Sequence, residues 1–371
     1  MSALATKTGA INLGQGFPDH DGPLEVAEAA IAAIQSGRNQ YPPGRGFPEF
    51  CEAVASHQRH WYGLELNPAT DVVATTGASE ALFASVFATV NPGDEVVVFA
   101  PYFDIYVPAI RWAGATHRTV TLTAPDFRIT ADAIRAAVTD RTRAIIFNSP
   151  HNPTGRVFDS SELQAIADVA IEQDLVVISD EVYEHLVFDN ARHTPIATLP
   201  GMFERTITIS SMGKSFAFTG WKVGWASGPE PLMSGLLGIK QFVTFASGAP
   251  LQLGAAAALA LPDSYFSDYA AWLQARRNQL VAGLDAAGFG LVQPQGTYFV
   301  TTDVRPLGFN DGLDFCQKLP ELAGLVAIPL ETLYDRKPGE ESAGKALVRW
   351  AFCKQESVLT EAVERLGQLA R

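Results

Sequence analysis

One lysine of the sequence stands where its amine could act as a nucleophile. Lys214 follows the β-branched run at residues 206–210, and Phe216 and Phe218 come shortly after it. A lone lysine is most often an exposed surface residue. In apolar surroundings, however, the pKa of a lysine falls and its amine can form a Schiff base with an aldehyde. We therefore expect Lys214 to carry the chemistry.

Carboxylate, phenol and amide groups follow two other apolar runs. Asp180 and Tyr183 come after residues 175–179, and Asn152 lies in the turn after residues 144–148. A carboxylate at the end of a buried strand needs hydrogen bonds or a cation, and a protonated ring nitrogen would supply one. The alternatives stay open, because Asp180 can also accept backbone N–H groups and Asn152 can belong to an ordinary turn.

Donors suited to a phosphate group occur near these residues. The small residues at 75–79 open a predicted helix, whose first backbone N–H groups would be unpaired donors. The Ser211 hydroxyl and the Lys222 amine follow the same strand that precedes Lys214. Together these groups predict a phosphate site.

An aromatic side chain completes the set of chemical groups. Phe103 follows a further apolar run, at residues 96–100, although a single aromatic residue is more often part of the core. Pyridoxal phosphate combines an aldehyde, a ring nitrogen, a phenolic oxygen and a phosphate. Because the sequence offers a partner for each of these groups at successive strand ends, we predict that cofactor.

Strand and helix patterns alternate along the first two thirds of the chain. The apolar runs named above are typical of buried strands, and residues 79–90 and 160–173 show the pattern and capping of helices. Such alternation predicts an α/β fold with a mostly parallel sheet between helices. Ligands of these sheets bind at the carboxyl ends of the strands.

The pattern changes after residue 262. The later segments predict a smaller α+β domain, with helices at 263–287 and 359–369 and strands at 296–304, 324–329 and 346–353. We expect an N-terminal arm at 1–38 that joins the small domain, a large cofactor-binding domain at 39–262 and the small domain at 263–371.

The composition excludes several other classes of protein. The 371 residues suffice for two domains, and a net charge of −13 disfavours nucleic acid as a partner. The three cysteines are far apart, which predicts no disulfide framework and no thiolate metal site and favours a reducing compartment. We see no signal peptide and no membrane-spanning run, so we expect a cytoplasmic protein without membrane partners. The GxGxxG pattern of nicotinamide enzymes and the GxSxG pattern of serine hydrolases are both missing.

Along nearly its whole length, the sequence resembles the class I/II aminotransferases, which are fold-type I pyridoxal-phosphate enzymes. The motifs that carry the resemblance are NLGQGFPD (12–19), NQYPPG (39–44), NSPHNPTG (148–155), SDEVY (179–183), SSMGKSF (210–216), TGWKVGW (219–225) and VRWAFCK (348–354). This family implies a seven-stranded sheet in the large domain and the transfer of an amino group from an amino acid to a 2-oxo acid.

Two branches of the family are most similar to the sequence. The N-succinyldiaminopimelate aminotransferases of actinobacteria imply N-succinyl-LL-2,6-diaminopimelate as donor, 2-oxoglutarate as acceptor and a place in lysine biosynthesis. The kynurenine/glutamine/methionine aminotransferases are the alternative, with cysteine-conjugate β-lyase chemistry as a side activity.

The resemblance also implies a role for each candidate residue. Lys214 would bind the cofactor aldehyde and carry the proton, and Asp180 would pair with the ring nitrogen. Tyr183 and Asn152 would contact the phenolic oxygen, and Phe103 would stack on the ring. The phosphate would be bound by Ala78, Ser79, Ser211 and Lys222.

Further residues are implied at the subunit boundary and on the substrate side. Tyr41 would reach the phosphate bound by a partner subunit, which makes a homodimer necessary. Arg349 would bind the substrate α-carboxylate through two parallel hydrogen bonds, with Asn152 and Gly16 beside it.

The distal end of the substrate leaves two interpretations open. A polycarboxylate donor needs further cations, for which the sequence offers Arg45, Arg336 and Lys337, although each of these is more often a solvated surface charge. Aromatic or sulfur-containing donors would instead be favoured if the pocket were lined by Phe17, Phe103 and Trp112.

Overall fold

The computed structural model describes residues 1–336 and 339–369 of the chain. Among these residues, none of the helices has both the length and the hydrophobicity that a membrane crossing requires. The helices are α1 (Ser2–Thr8), α2 (Leu24–Gln35), α3 (Pro48–Tyr62), α4 (Gly77–Thr89), α5 (Tyr106–Trp112), α6 (Ala131–Ala137), α7 (Ser160–Glu172), α8 (Met212–Ser215), α9 (Glu230–Val243), α10 (Ala249–Leu259), α11 (Asp263–Ala286), α12 (Gly312–Ala323) and α13 (Glu356–Leu366).

The strands form three sheets. They are β1 (Ile11–Asn12), β2 (Val72–Thr75), β3 (Glu95–Ala100), β4 (Thr116–Thr121), β5 (Thr142–Asn148), β6 (Val176–Asp180), β7 (Thr206–Ser211), β8 (Gly224–Ser227), β9 (Gly290–Val292), β10 (Phe299–Asp303), β11 (Leu325–Val326), β12 (Ile328–Pro329) and β13 (Leu347–Ala351).

The largest sheet has seven strands in the order β2-β8-β7-β6-β5-β3-β4. Strands β3 to β7 pair in parallel, and only β8 runs antiparallel to both of its neighbours. The central strands are almost entirely buried because helices cover both faces, which explains their largely apolar sequences. The predicted fold class, a mostly parallel sheet of seven strands with a smaller α+β part, is confirmed.

The smaller α+β part is built on a four-stranded antiparallel sheet. Its order is β12-β13-β10-β9, and the long helix α11 packs against α13 beside it. The N-terminal arm joins this part of the molecule, because β1 pairs in parallel with β11. Leu13, Tyr298 and Trp350 belong to the hydrophobic cluster that fills the space between the two.

One predicted strand was wrong. The segment at 324–329 is not continuous, since β11 pairs with β1 while β12 pairs with β13 in another sheet. The chain passes from one sheet to the other at Ala327. An apolar pattern cannot show such a change of partner, because both short strands are nearly as apolar as a single buried one.

Candidate active site

A cavity of about 260 Å³ lies where the parallel strands end. Of the candidate residues predicted above, those that line it are Gly16, Ala78, Ser79, Phe103, Asn152, Asp180, Tyr183, Ser211, Lys214, Lys222 and Arg349. Tyr41 does not line it, and 82% of that residue is exposed. The fold therefore brings residues from six of the seven quoted motifs, together with the turn at 75–79 and Phe103, to one place, as expected for a parallel sheet.

Lys214 occupies the single turn of helix α8, directly after β7. Its Nζ lies 5.7 Å from the ring centre of Tyr183 and 5.6 Å from that of Tyr298. Desolvation lowers the pKa of Lys214, although Cys353 and Asp180 act in the opposite direction. A larger share of the amine is consequently neutral, which is the form that attacks an aldehyde.

Asp180 is the last residue of β6 and is buried. Its Oδ2 accepts a hydrogen bond of 2.7 Å from the Tyr106 hydroxyl, and its Oδ1 accepts one of 3.4 Å from the Val182 amide. Burial nevertheless raises the pKa of Asp180 from 3.8 to about 6, against the effect of these hydrogen bonds and of Lys214. The carboxylate thus lacks a close cation, and a protonated ring nitrogen would supply one.

The turn between β2 and α4 forms a site for an anion. Helix α4 begins at Gly77 without a side-chain cap from Thr76, so its first backbone amides are available. Gly77 has a φ of +72°, and a side chain there would lie 3.1 Å from Lys222 Nζ. A Cβ on Gly224 would lie 2.7 Å from the backbone nitrogen of Ala78, so glycine lets β8 approach this turn closely. The lysine amine and the helix amides therefore converge.

A buried ion pair supports the same turn from behind. Glu80 Oε2 accepts a hydrogen bond of 2.5 Å from the Thr76 amide, and Lys240 Nζ lies 3.5 Å from the same oxygen. Lys240 is fully buried and also donates to Thr244 and Ser247. Because Lys240 balances the charge of Glu80, the carboxylate fixes the turn without repelling an anion bound at it.

Arg349 is a cation without a carboxylate partner. Its Nη1 donates to Asn152 Oδ1 and its Nη2 to the Gly14 carbonyl, both at 3.0 Å. Its Nε is buried without a hydrogen bond, and the guanidinium lies 4.0 Å from the ring centre of Phe299. Within residues 1–336 and 339–369, no Asp or Glu oxygen lies within 4.0 Å of it. The site is therefore built to receive an anion.

Gly16 is required by its surroundings. A side chain at this position would lie 2.4 Å from Phe299 Cζ and 2.8 Å from the Tyr298 ring. The Tyr298 hydroxyl also donates a hydrogen bond to the Gly16 carbonyl. These contacts tie the N-terminal arm to the small sheet at the edge of the cavity, next to Arg349.

Several residues of the site were not predicted. Tyr106, which donates to Asp180, and Phe299, which lines the cavity, gave no signal, since the position of each depends on the packing of distant elements. Asn148 lay in a quoted motif. Its side-chain nitrogen donates a hydrogen bond of 2.7 Å to the Asp180 carbonyl, and its side-chain oxygen accepts one of 2.7 Å from the backbone amide of Asn152. An asparagine at the end of a predicted buried strand could have been singled out, because a buried amide needs partners.

Two of the cations proposed for the distal end of the substrate, Arg45 and Arg336, do not line the cavity. Arg45 donates a hydrogen bond of 2.6 Å to the Thr70 carbonyl and lines a different cavity. Arg336 forms an ion pair with Glu331, with 3.8 Å between Nη2 and Oε1. Lys337 is outside the described residues. Trp112 is 74% exposed and packs on Phe83 rather than lining the cavity. Sequence position alone could not distinguish these surface residues from pocket residues.

The arrangement fits pyridoxal phosphate. Ser211, Lys214 and Lys222 line the cavity, and neither the Ser211 hydroxyl nor the two lysine amines form a side-chain hydrogen bond or an ion pair with a described residue. The helix amides and Lys222 suit the phosphate, Asp180 suits the ring nitrogen, and the Lys214 amine suits the aldehyde. The side-chain donors that the cofactor requires are thus present without partners among the described residues, and the acceptor Asp180 is hydrogen-bonded to Tyr106 and Val182 but has no cation close to it.

The fold and this cavity together define a pyridoxal-phosphate-dependent aminotransferase. The sequence profile of the aminotransferase class I and II family matches residues 8–366, and the chain belongs to that family.

Individual relatives are similar over their full length. The chain is 49% identical to a probable N-succinyldiaminopimelate aminotransferase of Mycobacterium tuberculosis, over 100% of this chain and 95% of the relative. It is 38% identical to a kynurenine–oxoglutarate transaminase of Dictyostelium discoideum, over 100% of this chain and 93% of the relative. The solved structure of the N-succinyldiaminopimelate aminotransferase from Mycobacterium tuberculosis superposes with a TM-score of 0.96, over 100% of this chain and 96% of that one.

The raised pKa of Asp180 predicts how the stability of the cofactor-free protein varies with pH. The native state holds this proton more tightly than the unfolded chain, so stability is lost as the pH rises from about 4 to about 6. A shift of two pKa units corresponds to about 3 kcal/mol. We expect wild type to lose about 2 kcal/mol more free energy of unfolding between about pH 4 and about pH 8 than Asp180→Asn does, since part of the loss occurs below pH 4.

Denaturant unfolding at both pH values measures this difference. Asp168→Asn, which removes an exposed carboxylate on α7, serves as the control and should follow wild type. Parallel stability profiles for wild type and Asp180→Asn would contradict the prediction.

Proposed function

We propose that this aminotransferase uses N-succinyl-LL-2,6-diaminopimelate as amino donor and 2-oxoglutarate as acceptor, in lysine biosynthesis. The observation that carries the proposal is the guanidinium of Arg349, which has no carboxylate partner among the described residues and lines the same cavity as the amine of Lys214, because both substrates have a carboxylate next to the reacting carbon. The 49% identity to a probable N-succinyldiaminopimelate aminotransferase supports this choice of donor.

The residues of the cavity have separable tasks in this proposal. When bound, pyridoxal phosphate supplies an aldehyde that joins an amine and a ring that draws electrons from the bonds at the adjoining carbon. Asp180 holds the proton on the ring nitrogen, and the neutral Lys214 amine takes up the proton that leaves the substrate Cα. Tyr183 and Asn152 orient the phenolic oxygen, and Phe103 covers one face of the ring.

Arg349 fixes the direction in which the substrate enters. Asn152 already accepts from one of its terminal nitrogens, so the guanidinium is held in place before a carboxylate binds. Its unpartnered Nε and the two terminal nitrogens together present the flat array of donors that a carboxylate matches. The substrate Cα then lies on the side of the cavity that Lys214 also lines.

The kynurenine/glutamine/methionine type of aminotransferase is the second candidate, with a cysteine-conjugate β-lyase side activity. It is favoured by the apolar residues Phe103, Phe218 and Phe299 of the cavity. Among the described residues, the cations that line the cavity are Lys214, Lys222 and Arg349, all of which already have tasks. A polycarboxylate donor would therefore need its distal charges satisfied at the cavity mouth.

We also propose that the enzyme is a homodimer in which Tyr41 reaches the partner's phosphate site. Tyr41 is 82% exposed and packs edge-on against Phe245, at 5.3 Å between ring centres. Phe242 and Val243, at the end of α9, are 91% and 65% exposed in the same region of the chain. Exposed apolar groups of this size are typical of interfaces. Lys240, which supports the turn between β2 and α4 through Glu80, also belongs to α9.

Two further assignments belong to the proposal. The division into an arm at 1–38, a large domain at 39–262 and a small domain at 263–371 is consistent with the positions of the sheets. A cytoplasmic location is favoured by three cysteines that are all buried, free thiols: Cys51, Cys316 and Cys353.

The choice of donor is tested by steady-state turnover with 2-oxoglutarate as acceptor. We expect kcat/KM to be higher for N-succinyl-LL-2,6-diaminopimelate than for methionine, kynurenine or glutamine. Arg349→Lys should raise KM about 10- to 100-fold for every donor, because one charge-assisted hydrogen bond of about 1.5–3 kcal/mol is lost. Arg45→Lys, outside the cavity, is the matched control and should leave KM unchanged.

Either result can fail separately. Higher kcat/KM for methionine or kynurenine would replace the proposed donor by the second candidate. An unchanged KM in Arg349→Lys would instead refute the carboxylate site.

Shared active sites are tested by mixing inactive subunits. We expect Lys214→Ala and Tyr41→Ala homodimers to be impaired, because each lacks one component in both sites. Hybrids formed by denaturing and refolding the two together contain one site with both native residues. Since half of a random mixture is hybrid and each hybrid has one intact site, about a quarter of wild-type activity should return. No gain over the unmixed proteins would show that Tyr41 does not act across subunits.

A further inference from the structure

A group of three potential metal ligands lies outside the cofactor cavity. His57 belongs to α3, whereas Glu184 and His185 follow Tyr183 in the turn after β6. All three residues are buried. We refer to His57, Glu184 and His185 as the histidine cluster. Since 128 residues separate the two histidines, no motif of closely spaced ligands reveals it in the sequence.

The two imidazole rings face each other through their Nε2 atoms. These nitrogens are 2.8 Å apart, so at most one of them carries a proton. A carboxylate oxygen of Glu184 completes the group, and all three potential ligand atoms lie within 4.8 Å of one another. Two imidazole nitrogens from two elements of the fold and one carboxylate thus converge on a small volume.

The orientation of His57 is fixed from outside the cluster. Its Nδ1 lies 3.3 Å from the Leu259 carbonyl, at the end of α10. A carbonyl oxygen only accepts, so Nδ1 carries the proton and Nε2 presents its lone pair to the cluster. A backbone carbonyl that holds the distal nitrogen in this way is a regular feature of histidines that bind metal ions.

The charge of Glu184 is not balanced within the described part of the chain. Its Oε1 accepts a hydrogen bond of 2.7 Å from the Ser210 hydroxyl, and its Oε2 accepts one of 3.4 Å from the side-chain amide of Gln58. No Lys, Arg or His nitrogen among these residues lies within 4.0 Å of it, whereas the neighbouring Glu181 has His193 Nε2 at 2.8 Å. A buried carboxylate without a cation is costly, and a divalent ion would remove that cost.

We propose that the histidine cluster binds one Zn²⁺ ion through His57 Nε2, His185 Nε2 and a carboxylate oxygen of Glu184. Two imidazole nitrogens and a carboxylate are ligands that zinc favours, with water in the fourth position. Zinc–nitrogen bonds of about 2.0–2.1 Å at a tetrahedral angle place the nitrogens about 3.3 Å apart. Binding therefore requires the two rings to separate by roughly half an ångström and Glu184 to move inward. The proton that His185 Nε2 donates to His57 Nε2 in the absence of the ion moves to His185 Nδ1, which frees the Nε2 lone pair.

An ion and its water can reach this site. A cavity of about 270 Å³ adjoins it, lined by Glu184 and His185 together with Trp61, Tyr62, His193 and Phe266. The bound ion would connect α3 to the turn that follows Tyr183. It would also bind the Glu184 carboxylate, which accepts a hydrogen bond from Ser210. Ser210 directly precedes Ser211, a residue that lines the cofactor cavity. Zinc would thus strengthen the framework behind the cofactor cavity.

Zinc titration of the cofactor-loaded enzyme tests the proposal directly. Bound metal is removed from the protein with a chelator, the chelator is dialysed away, and the protein is titrated with Zn²⁺ in a calorimeter. In a second experiment, its thermal unfolding is followed at increasing zinc concentration. We expect one equivalent per chain and a rise in Tm with free zinc. His57→Gln should weaken binding about 100-fold or more, since even the loss of an outer-shell partner costs 10- to 100-fold.

The control is another histidine of the same helix. His60 is exposed and lies 2.8 Å from Asp263, so it offers the commonest kind of adventitious surface binding. His60→Gln should keep the tight site. The proposal is overturned if His57→Gln binds zinc as tightly as wild type, or if His60→Gln alone removes the binding.

A measurement on the unaltered chain covers the case in which His57→Gln does not fold. Co²⁺ in a tetrahedral site of this ligand type absorbs strongly in the visible range, whereas octahedral Co²⁺ on a surface absorbs weakly. We expect an intense cobalt spectrum that one equivalent of Zn²⁺ abolishes. A weak spectrum, or a wild-type protein that takes up no stoichiometric zinc, refutes the site.

Discussion

The cost of burying charge without a partner governs the design of this molecule. Asp180 has its pKa raised to about 6, the pKa of Lys214 is lowered by desolvation, and Arg349 keeps a buried nitrogen without any acceptor. Each group is stabilised only in part by the protein, and each matches a group of the cofactor or the substrate. Binding therefore completes the electrostatics of the fold, and the rest of the structure serves to hold these side chains at fixed positions.

Support for those positions comes from the sheet and from polar contacts behind it. Parallel pairing of β5, β6 and β7 places the ends of three motifs side by side, and Asn148 links two of them. Glycine at positions 77 and 224 lets the turn between β2 and α4 approach β8 closely. Glu80 and Lys240 hold the same turn from its other side. The same logic extends to the histidine cluster, where Glu184 still lacks a cation of its own.

Residues at the ends of apolar strands could be predicted because the pattern of a buried strand shows where it ends. Lys214, Asp180 and Asn152 were placed in this way, and the fold class followed from the alternation of strands and helices. Tyr106, Lys240 and Phe299 could not be found, since their positions depend on packing between distant elements. For the same reason the sequence could not exclude Arg45 and Trp112, whose surface positions only the folded chain reveals.

The central claim is that Lys214, Asp180 and Arg349 form the site of an amino-group transfer. The most direct test is to record the absorbance of the purified protein loaded with pyridoxal phosphate. The spectrum is recorded after an amino donor is added and again after 2-oxoglutarate is added. The account predicts a visible band that the donor bleaches and 2-oxoglutarate restores in wild type, and no such cycle in Lys214→Ala. A cycle that persists in Lys214→Ala, or a wild-type band that no donor bleaches, would contradict it.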